Sequence, residues 1–229
     1  MLDAHVVKRR HNLLVDVRVT VDHGNALGLF GPSGAGKSTA LNCIAGIEQP
    51  DAGAIRFEER VLFPQPPPLH RRGVGYLTQD ANLFAHLRVA DNVKFGAHVD
   101  PGDPWIAELR AVLRLEPFWD SPARAISGGQ ARRVSLARML APRPRLVLLD
   151  EPFTGLDRHL VRELLDALAT WQRRLRFTMV VVGHEPDILE RISPFVVAIE
   201  NGTVVQSGTW SELRASPESA LLAQLLAPL

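Results

Sequence analysis

Gly31-Pro32-Ser33-Gly34-Ala35-Gly36-Lys37-Ser38-Thr39 is the stretch from which the fold of this chain is read. It fits G-x-x-x-x-G-K-[ST], in which glycines let successive backbone N–H groups converge on phosphate oxygens. Lys37 is placed to reach the outer phosphates of a nucleotide, and the Ser38 hydroxyl to ligate Mg2+. Such a loop needs a strand before it and a helix behind it. Ala26-Leu27-Gly28-Leu29-Phe30 is a short apolar run leading in, and a helical pattern starts near Lys37 and runs to about Gly46, a natural terminator.

Two further stretches supply chemistry. Ser127, Gly128 and Gly129 precede a helical pattern from Gln130 to about Leu140, so a hydroxyl and free N–H groups sit at a positive dipole end. Arg145-Leu146-Val147-Leu148-Leu149-Asp150-Glu151 reads as a buried strand that delivers two carboxylates at its C-terminal end, where open α/β sheets bind ligands. Asp150 is expected to hold Mg2+ through its hydration shell and Glu151 to polarise an attacking water. Neighbouring side chains on a strand point to opposite faces, which predicts this division of labour.

Around these, the opening reads as strands, with Leu13–Val19 partly alternating ahead of turn residues Asp22–Asn25. β-type runs follow at Ala54–Phe57, Arg60–Phe63 and Gly73–Thr78, with Pro64–Pro68 as an extended surface loop. From about Ala85 to Ser127 the pattern is helical, punctuated by Pro101, Pro104 and Pro117. Strand and helix then alternate: Leu146–Leu149, Leu160–Trp171, Met179–Val182, Pro186–Ile192 and Phe195–Ile199. This argues for a largely parallel sheet flanked by helices. Asn201-Gly202 turns into a last hairpin strand, Thr203–Gln206, and Ser219–Leu226 is an apolar helical stripe expected to pack on its own domain.

Composition narrows the class. A chain of 229 residues with 46% hydrophobic and 22% charged content is globular, and a net charge of +1 argues against a dedicated nucleic-acid binder. The basic runs Lys8–Arg10, Arg71-Arg72, Arg132-Arg133 and Arg173-Arg174 are expected to be solvated surface. Cys43, the single cysteine, excludes an internal disulfide and is expected as a small buried hydrophobe. No apolar stretch approaches the ~18 residues of a membrane span, and the N-terminus lacks a secretion signal. A cytoplasmic location is the expectation.

The phosphate loop and Ser127-Gly128-Gly129-Gln130 together resemble the ATP-binding cassette (ABC) ATPases, and the resemblance covers essentially the whole chain. It implies an α/β P-loop NTPase core with a mostly parallel sheet, an N-terminal antiparallel β region and an inserted helical subdomain at about 86–140. Residues 1–229 would form one ABC ATPase domain with no C-terminal regulatory domain. ATP and Mg2+ are the implied cofactors. Gln79 matches the Q-loop glutamine that contacts Mg2+ and senses the membrane partner. Gly155-Leu156-Asp157 resembles the D-loop of the dimer seam, and His184 the switch histidine at the γ-phosphate, followed by the acidic Glu185. Lys37, Glu151 and His184 are the implied catalytic residues, with Ser38, Gln79 and Asp150 at the metal. Ser127–Gln130 is implied to cap the γ-phosphate of ATP held by the opposite subunit, giving a head-to-tail homodimer with two ATP molecules at its interface.

Two departures stand out. Ile126 replaces the more usual leucine before the signature serine. No Tyr or Trp precedes the phosphate loop to stack on adenine, and Arg9-Arg10-His11 occupies that region, so His11 or Arg10 is the candidate. Tyr76–Leu87, with Gln79-Asp80 and Leu83-Phe84-Ala85-His86, and the Glu200–Val204 hairpin resemble importers, and most closely the ATPase subunits of molybdate transporters. That implies an integral-membrane permease, a periplasmic or extracellular solute-binding protein, and a peripheral location at the cytoplasmic face. The permease groove would lie near Gln79–Leu87, with Phe84, Leu87 and Val89 either its floor or core. Importers of sulfate, iron or another small solute share much of this pattern. A soluble repair-type ABC ATPase would need long coiled coils, for which the gap from Gln79 to Ser127 is too short. A nonhydrolytic module would not be expected to retain Lys37, Asp150, Glu151 and His184.

Overall fold

The computed structural model describes residues 1–97 and 102–227, so Pro101 lies outside the described residues. β1 (Leu2–Arg10) and β2 (Leu13–Val21) form a hairpin, β3 (Ala26–Phe30) enters the phosphate loop, and α1 (Lys37–Ala45) leaves it. β4 (Ala52–Phe57), β5 (Arg60–Phe63) and β6 (Val74–Leu77) follow. α2 (Val89–Lys94), α3 (Pro104–Val112) and α4 (Gly128–Leu140) lie between β6 and β7 (Leu146–Asp150). The chain continues through α5 (Arg158–Leu175), β8 (Thr178–Val182), α6 (Pro186–Ile192), β9 (Phe195–Glu200), β10 (Thr203–Thr209), α7 (Trp210–Ala215) and α8 (Ala220–Leu226).

The strands form one sheet in the order β5-β4-β1-β2-β10-β9-β3-β8-β7-β6. β9-β3-β8-β7-β6 is parallel throughout and β5-β4-β1-β2 antiparallel. β10 joins the halves, parallel to β2 and antiparallel to β9. The residue types follow from what covers each half. β3, β7 and β8 are buried at every position, because both faces are covered. On β7, Leu146 and Leu148 pack with α1 and the hairpin strands, while Val147 and Leu149 pack with the other helices. β2 instead alternates: Val15, Val17, Val19 and Val21 are buried, and Asp16, Arg18 and Thr20 exposed, the period of a strand with one wet face.

Helix faces close the second layer. α5 buries Leu160, Val161, Leu164, Leu165, Leu168 and Trp171 at helical spacing, and Trp171 meets Trp105 of α3 edge-on with centroids 5.2 Å apart. Leu222 and Leu226 bury the tail helix against the same core. Cys43 is buried, and desolvation pushes its thiol up to about 12, so it behaves as a small hydrophobe. α7 was not legible from periodicity, although Thr209-x-x-Glu212 is a capping box and forms one here.

The solvated reading of the basic runs fails at three residues. Arg72 is 6% exposed and donates to the Ala45 and Pro67 carbonyls. Arg133 is partly buried, on the carbonyls of Leu113 and Arg114. Arg132 is 5% exposed. A guanidinium has five donors, and carbonyls left free at the ends of helices and strands can satisfy them inside the protein. Val89 is fully buried and belongs to the core rather than to a surface groove.

Candidate active site

The phosphate loop is shaped by backbone that only glycine tolerates. Gly31 has φ +142°, and a Cβ there would stand 2.1 Å from the Ile199 carbonyl oxygen. Gly34 also has positive φ, and a Cβ there would meet nothing within 4 Å, so the loop is open on that side. α1 starts from Gly36 without a side-chain cap, leaving its first N–H groups for an anion. Lys37 is 6% exposed, and its Nζ donates to the carbonyls of Gly31 at 2.7 Å and Pro32 at 2.8 Å. Burial lowers its pKa, while the Glu151 and Asp150 charges act in the other direction. Among the described residues no carboxylate lies in ion-pair contact with this buried ammonium. Such an arrangement fits a site built to receive phosphate.

Beside it, Ser38 Oγ donates to Asp150 Oδ1 at 3.1 Å. Asp150 is 3% exposed; burial raises its pKa, the Ser38 hydrogen bond lowers it, Glu151 raises it, and Lys37 and Arg132 lower it. A hydroxyl and a carboxylate in contact are hard oxygen donors of the kind Mg2+ takes when phosphates and water complete its shell. The residues present therefore fit that ion. Tyr76 of β6 was not singled out from sequence. Its hydroxyl donates to Asn42 Oδ1 at 2.8 Å, and burial first, then the Asp150 charge, push its pKa up.

Glu151 is not a strand residue, contrary to the sequence reading. β7 ends at Asp150, and Glu151 turns out of it with φ +46°. The division between the two carboxylates comes from this left-handed turn, not from strand alternation. Its N–H donates to the Val182 carbonyl at 3.0 Å, and Oε2 accepts from Thr154 Oγ1 at 3.3 Å. Oε1 lies 3.8 Å from Nδ1 of His184, whose side chain is more than half exposed just past the end of β8. Lys37, Ser38, Asp150, Glu151 and His184 thus gather at the C-terminal edge of the parallel strands.

The remaining predicted residues stand around this group. Gln79 is exposed after β6. Ser127 caps α4: its Oγ accepts from Gln130 N–H, and the Gln130 side chain accepts from Ser127 N–H at 2.8 Å. Gln130 is therefore engaged in a capping box, while Gly128 is exposed with open space where a Cβ would be. Among the described residues no hydrogen bond joins Ser127–Gln130 to the phosphate loop. A Cβ on Gly129 would instead lie 3.3 Å from the Gly155 carbonyl oxygen, and Asp157, two residues on, caps α5 by accepting from Leu160 N–H at 2.9 Å. His11 is exposed in the two-residue turn between β1 and β2, with φ +43°. The returning strand touches the phosphate loop, because a Cβ on Gly36 would clash with Val15. Arg10 is paired with Glu48, which leaves His11 the freer of the two candidates for a base.

Residues 14–154 match the family model described as ABC transporter. The chain belongs to the ABC transporter family. It is 36% identical to the probable sulfate/thiosulfate import ATP-binding protein CysA of Chlorella vulgaris, over 92% of this chain and 90% of that one. It is 38% identical to the methionine import ATP-binding protein MetN of Thermobifida fusca, over 93% and 68%. The molybdenum import ATP-binding protein ModC of Mycobacterium tuberculosis is 37% identical, over 98% of this chain and 63% of that protein. Among solved structures, a dimeric ATP-binding cassette in a post-hydrolysis state bound to ADP and Pi superposes with TM-score 0.82 at 24% identity, over 91% and 98% of the chains. A nucleotide-free ABC transporter cassette gives 0.81 at 21%, over 100% and 99%. These likenesses establish the fold, and with the sequence relatives they make this an ABC ATPase of the importer type.

In this ABC ATPase, Arg132, Tyr76 and Thr154 are the site residues that sequence reasoning missed. Tyr76 and Thr154 had no local signal. Arg132 had one, since it lies on the helix that starts at the signature, but its basic neighbour suggested surface.

Proposed function

We propose that this chain is the ATP-hydrolysing, energy-coupling subunit of an importer for molybdate or a related oxyanion, peripheral to the cytoplasmic face of the membrane. The observation that carries the hydrolytic reading is the meeting of an uncapped, glycine-built loop with Lys37, the Ser38–Asp150 pair and the Glu151–His184 pair at one edge of the sheet. Gly31–Thr39 would cradle the phosphates, and Lys37 would exchange its two carbonyl partners for phosphate oxygens. Ser38 and Asp150, with Gln79, would hold Mg2+, which neutralises charge on the phosphates when bound. Glu151 would polarise the water that attacks the γ-phosphorus. Hydrolysis forms a bond from that water oxygen and breaks the one to the bridging oxygen, leaving ADP and phosphate. His184 would contact the γ-phosphate, and His11 would flank the base.

The signature terminus, exposed at Ser127 and Gly128, supports a homodimer with two ATP at its interface, because it adjoins its own D-loop and not its own phosphate loop. About residues 86–140 would form the helical subdomain of a single cassette domain. At its border with the loop after β6, Phe84 and Phe95, with ring centroids 4.4 Å apart and Phe95 55% exposed, offer apolar surface to a membrane permease. No helix among the described residues is long and apolar enough to cross a membrane. An external solute-binding protein would deliver the anion. The oxyanion reading is supported by the relatives whose names specify molybdenum and sulfate/thiosulfate import.

The test is ATP hydrolysis by the chain co-purified with its permease and solute-binding protein. Stimulation by molybdate but not sulfate is expected. Stimulation by neither would remove the oxyanion reading, and failure to recover a permease would remove the importer.

A further inference from the structure

Arg132 spends all five of its N–H donors on backbone carbonyls from two distant segments. Its Nε donates to Pro152 at 3.1 Å, one terminal nitrogen to Thr78 and Gln79 (the latter at 3.0 Å), and the other to Asp150 and Glu151, each at 2.6 Å. Among the described residues no carboxylate is in ion-pair contact with it. We infer that Arg132 is a positioning residue for hydrolysis: it holds the backbone of Glu151 and of Gln79 in register from one turn inside the helix that begins at the signature.

The reason lies in which carbonyls it binds. Glu151 adopts φ +46°, a conformation a non-glycine residue keeps only when its surroundings over-determine it. Three groups do so: Val182 accepts the Glu151 N–H, the Thr154 N–H donates to the Glu151 carbonyl at 3.4 Å, and Arg132 binds the carbonyls on both sides of the turn. A simple anchor for α4 would not need this contact. Ser135 donates to the Ala81 carbonyl at 2.8 Å, and Arg138 to those of Ala81 and Asn82 at 3.2 and 2.8 Å, so the helix is already tied to the loop after β6. What Arg132 adds is the link onward to the end of β7. The carboxylate that activates water and the helix that carries Ser127–Gly129 are therefore joined through one planar group. Lysine cannot reproduce this, since it offers a point charge with three donors.

The inference rests on Glu151 acting on the water, so Glu151→Gln is assayed beside the Arg132 variants. The measurements are steady-state ATP hydrolysis and ATP affinity of the full chain. Arg132→Met is expected to lower kcat by about 10- to 100-fold, as a displaced reacting group does. The KM and Kd for ATP should stay within about two-fold, because the phosphate loop is untouched. Arg132→Lys should recover part of the loss, and it carries the test if Arg132→Met does not fold. Arg138→Met, which cuts the bonds to the loop after β6 and to Asn92 but none to the end of β7, should lose far less. Wild-type kcat in Arg132→Met beside an inert Glu151→Gln overturns this inference alone. So does a loss of ATP affinity matching the loss of kcat, or an equal defect in Arg138→Met. Full turnover in Glu151→Gln overturns the reading of Glu151 and this inference with it.

Discussion

The helices α1 and α4 both begin at glycine-rich sequence, yet their N-termini are built in opposite ways. At α4, Ser127 and Gln130 cap each other's backbone in a closed box, and the terminus faces outward. At α1, Gly36 offers no side-chain cap, and the loop in front is held open by left-handed glycines around a buried lysine. α3, α5, α7 and α8 resemble α4 in carrying a side-chain cap, from Asp103, Asp157, Thr209 and Ser219. A terminus that satisfies itself stabilises its own helix. One of useful length left unsatisfied, with a buried cation beside it, is a binding site. The signature combines the two cases: capped at Ser127, but with Gly128 exposed and open space beside it.

The largest expected difference between the two ends is chemical. Glu151→Gln should reduce phosphate release by about 10²- to 10⁴-fold, the usual scale of a lost general base, while ATP still drives dimers visible by size exclusion. Unchanged release would detach the chemistry from the α1 end. Next in size is Gly31→Ala. The added methyl would press on the Ile199 carbonyl, and an overpacking cost of about 1–3 kcal/mol should appear as a lowered Tm together with weaker ATP binding. A normal Tm would mean the loop relaxes freely. At the other end, Ser127→Ala should remove a cap worth about 1 kcal/mol in chemical denaturation. Monomer affinity for ATP should not change, and an altered monomer affinity would place the signature in its own subunit's site.

The smallest effect is at α3. Asp103 accepts both Arg143 and the Trp105 N–H, and these bonds, Arg143 foremost, hold its carboxyl below the ordinary value of 3.8. A depressed folded pKa means stability that is present above the unfolded value and lost as pH falls through the folded one. Asp103→Asn should therefore melt lower than wild type at neutral pH, with the gap closing below about pH 4. A gap that is the same at pH 7 and at pH 3 would show that the carboxylate charge contributes nothing there.

What could be read early followed short-range rules. α6 was legible to the residue, and α1 and β7 to within one, because proline, glycine and apolar runs act on their own neighbours. The phosphate loop and the carboxylates Asp150 and Glu151 were legible for the same reason, lying at the ends of apolar strand runs, whereas His184 was singled out only by the family resemblance. The turn at Glu151 was misread as strand, because hydrogen bonds that impose it come from Val182 and Arg132. Arg72 and Arg132 were misread as surface, because their partners are carbonyls far along the chain.

By itself the sequence determined that glycines at 31, 34 and 36 shape an open loop, that a lysine and a serine follow it, and that buried strands flank it. These are consequences of local conformational preference and of apolar periodicity. Only the tertiary structure decided that Ser38 meets Asp150, that Tyr76 stands beside them, and that Arg132 ties the signature helix to the backbone of Glu151. Those contacts depend on the order in which β6, β7, β8 and β3 pair. That order is set by how the whole chain buries its two cores, not by any one segment's residues.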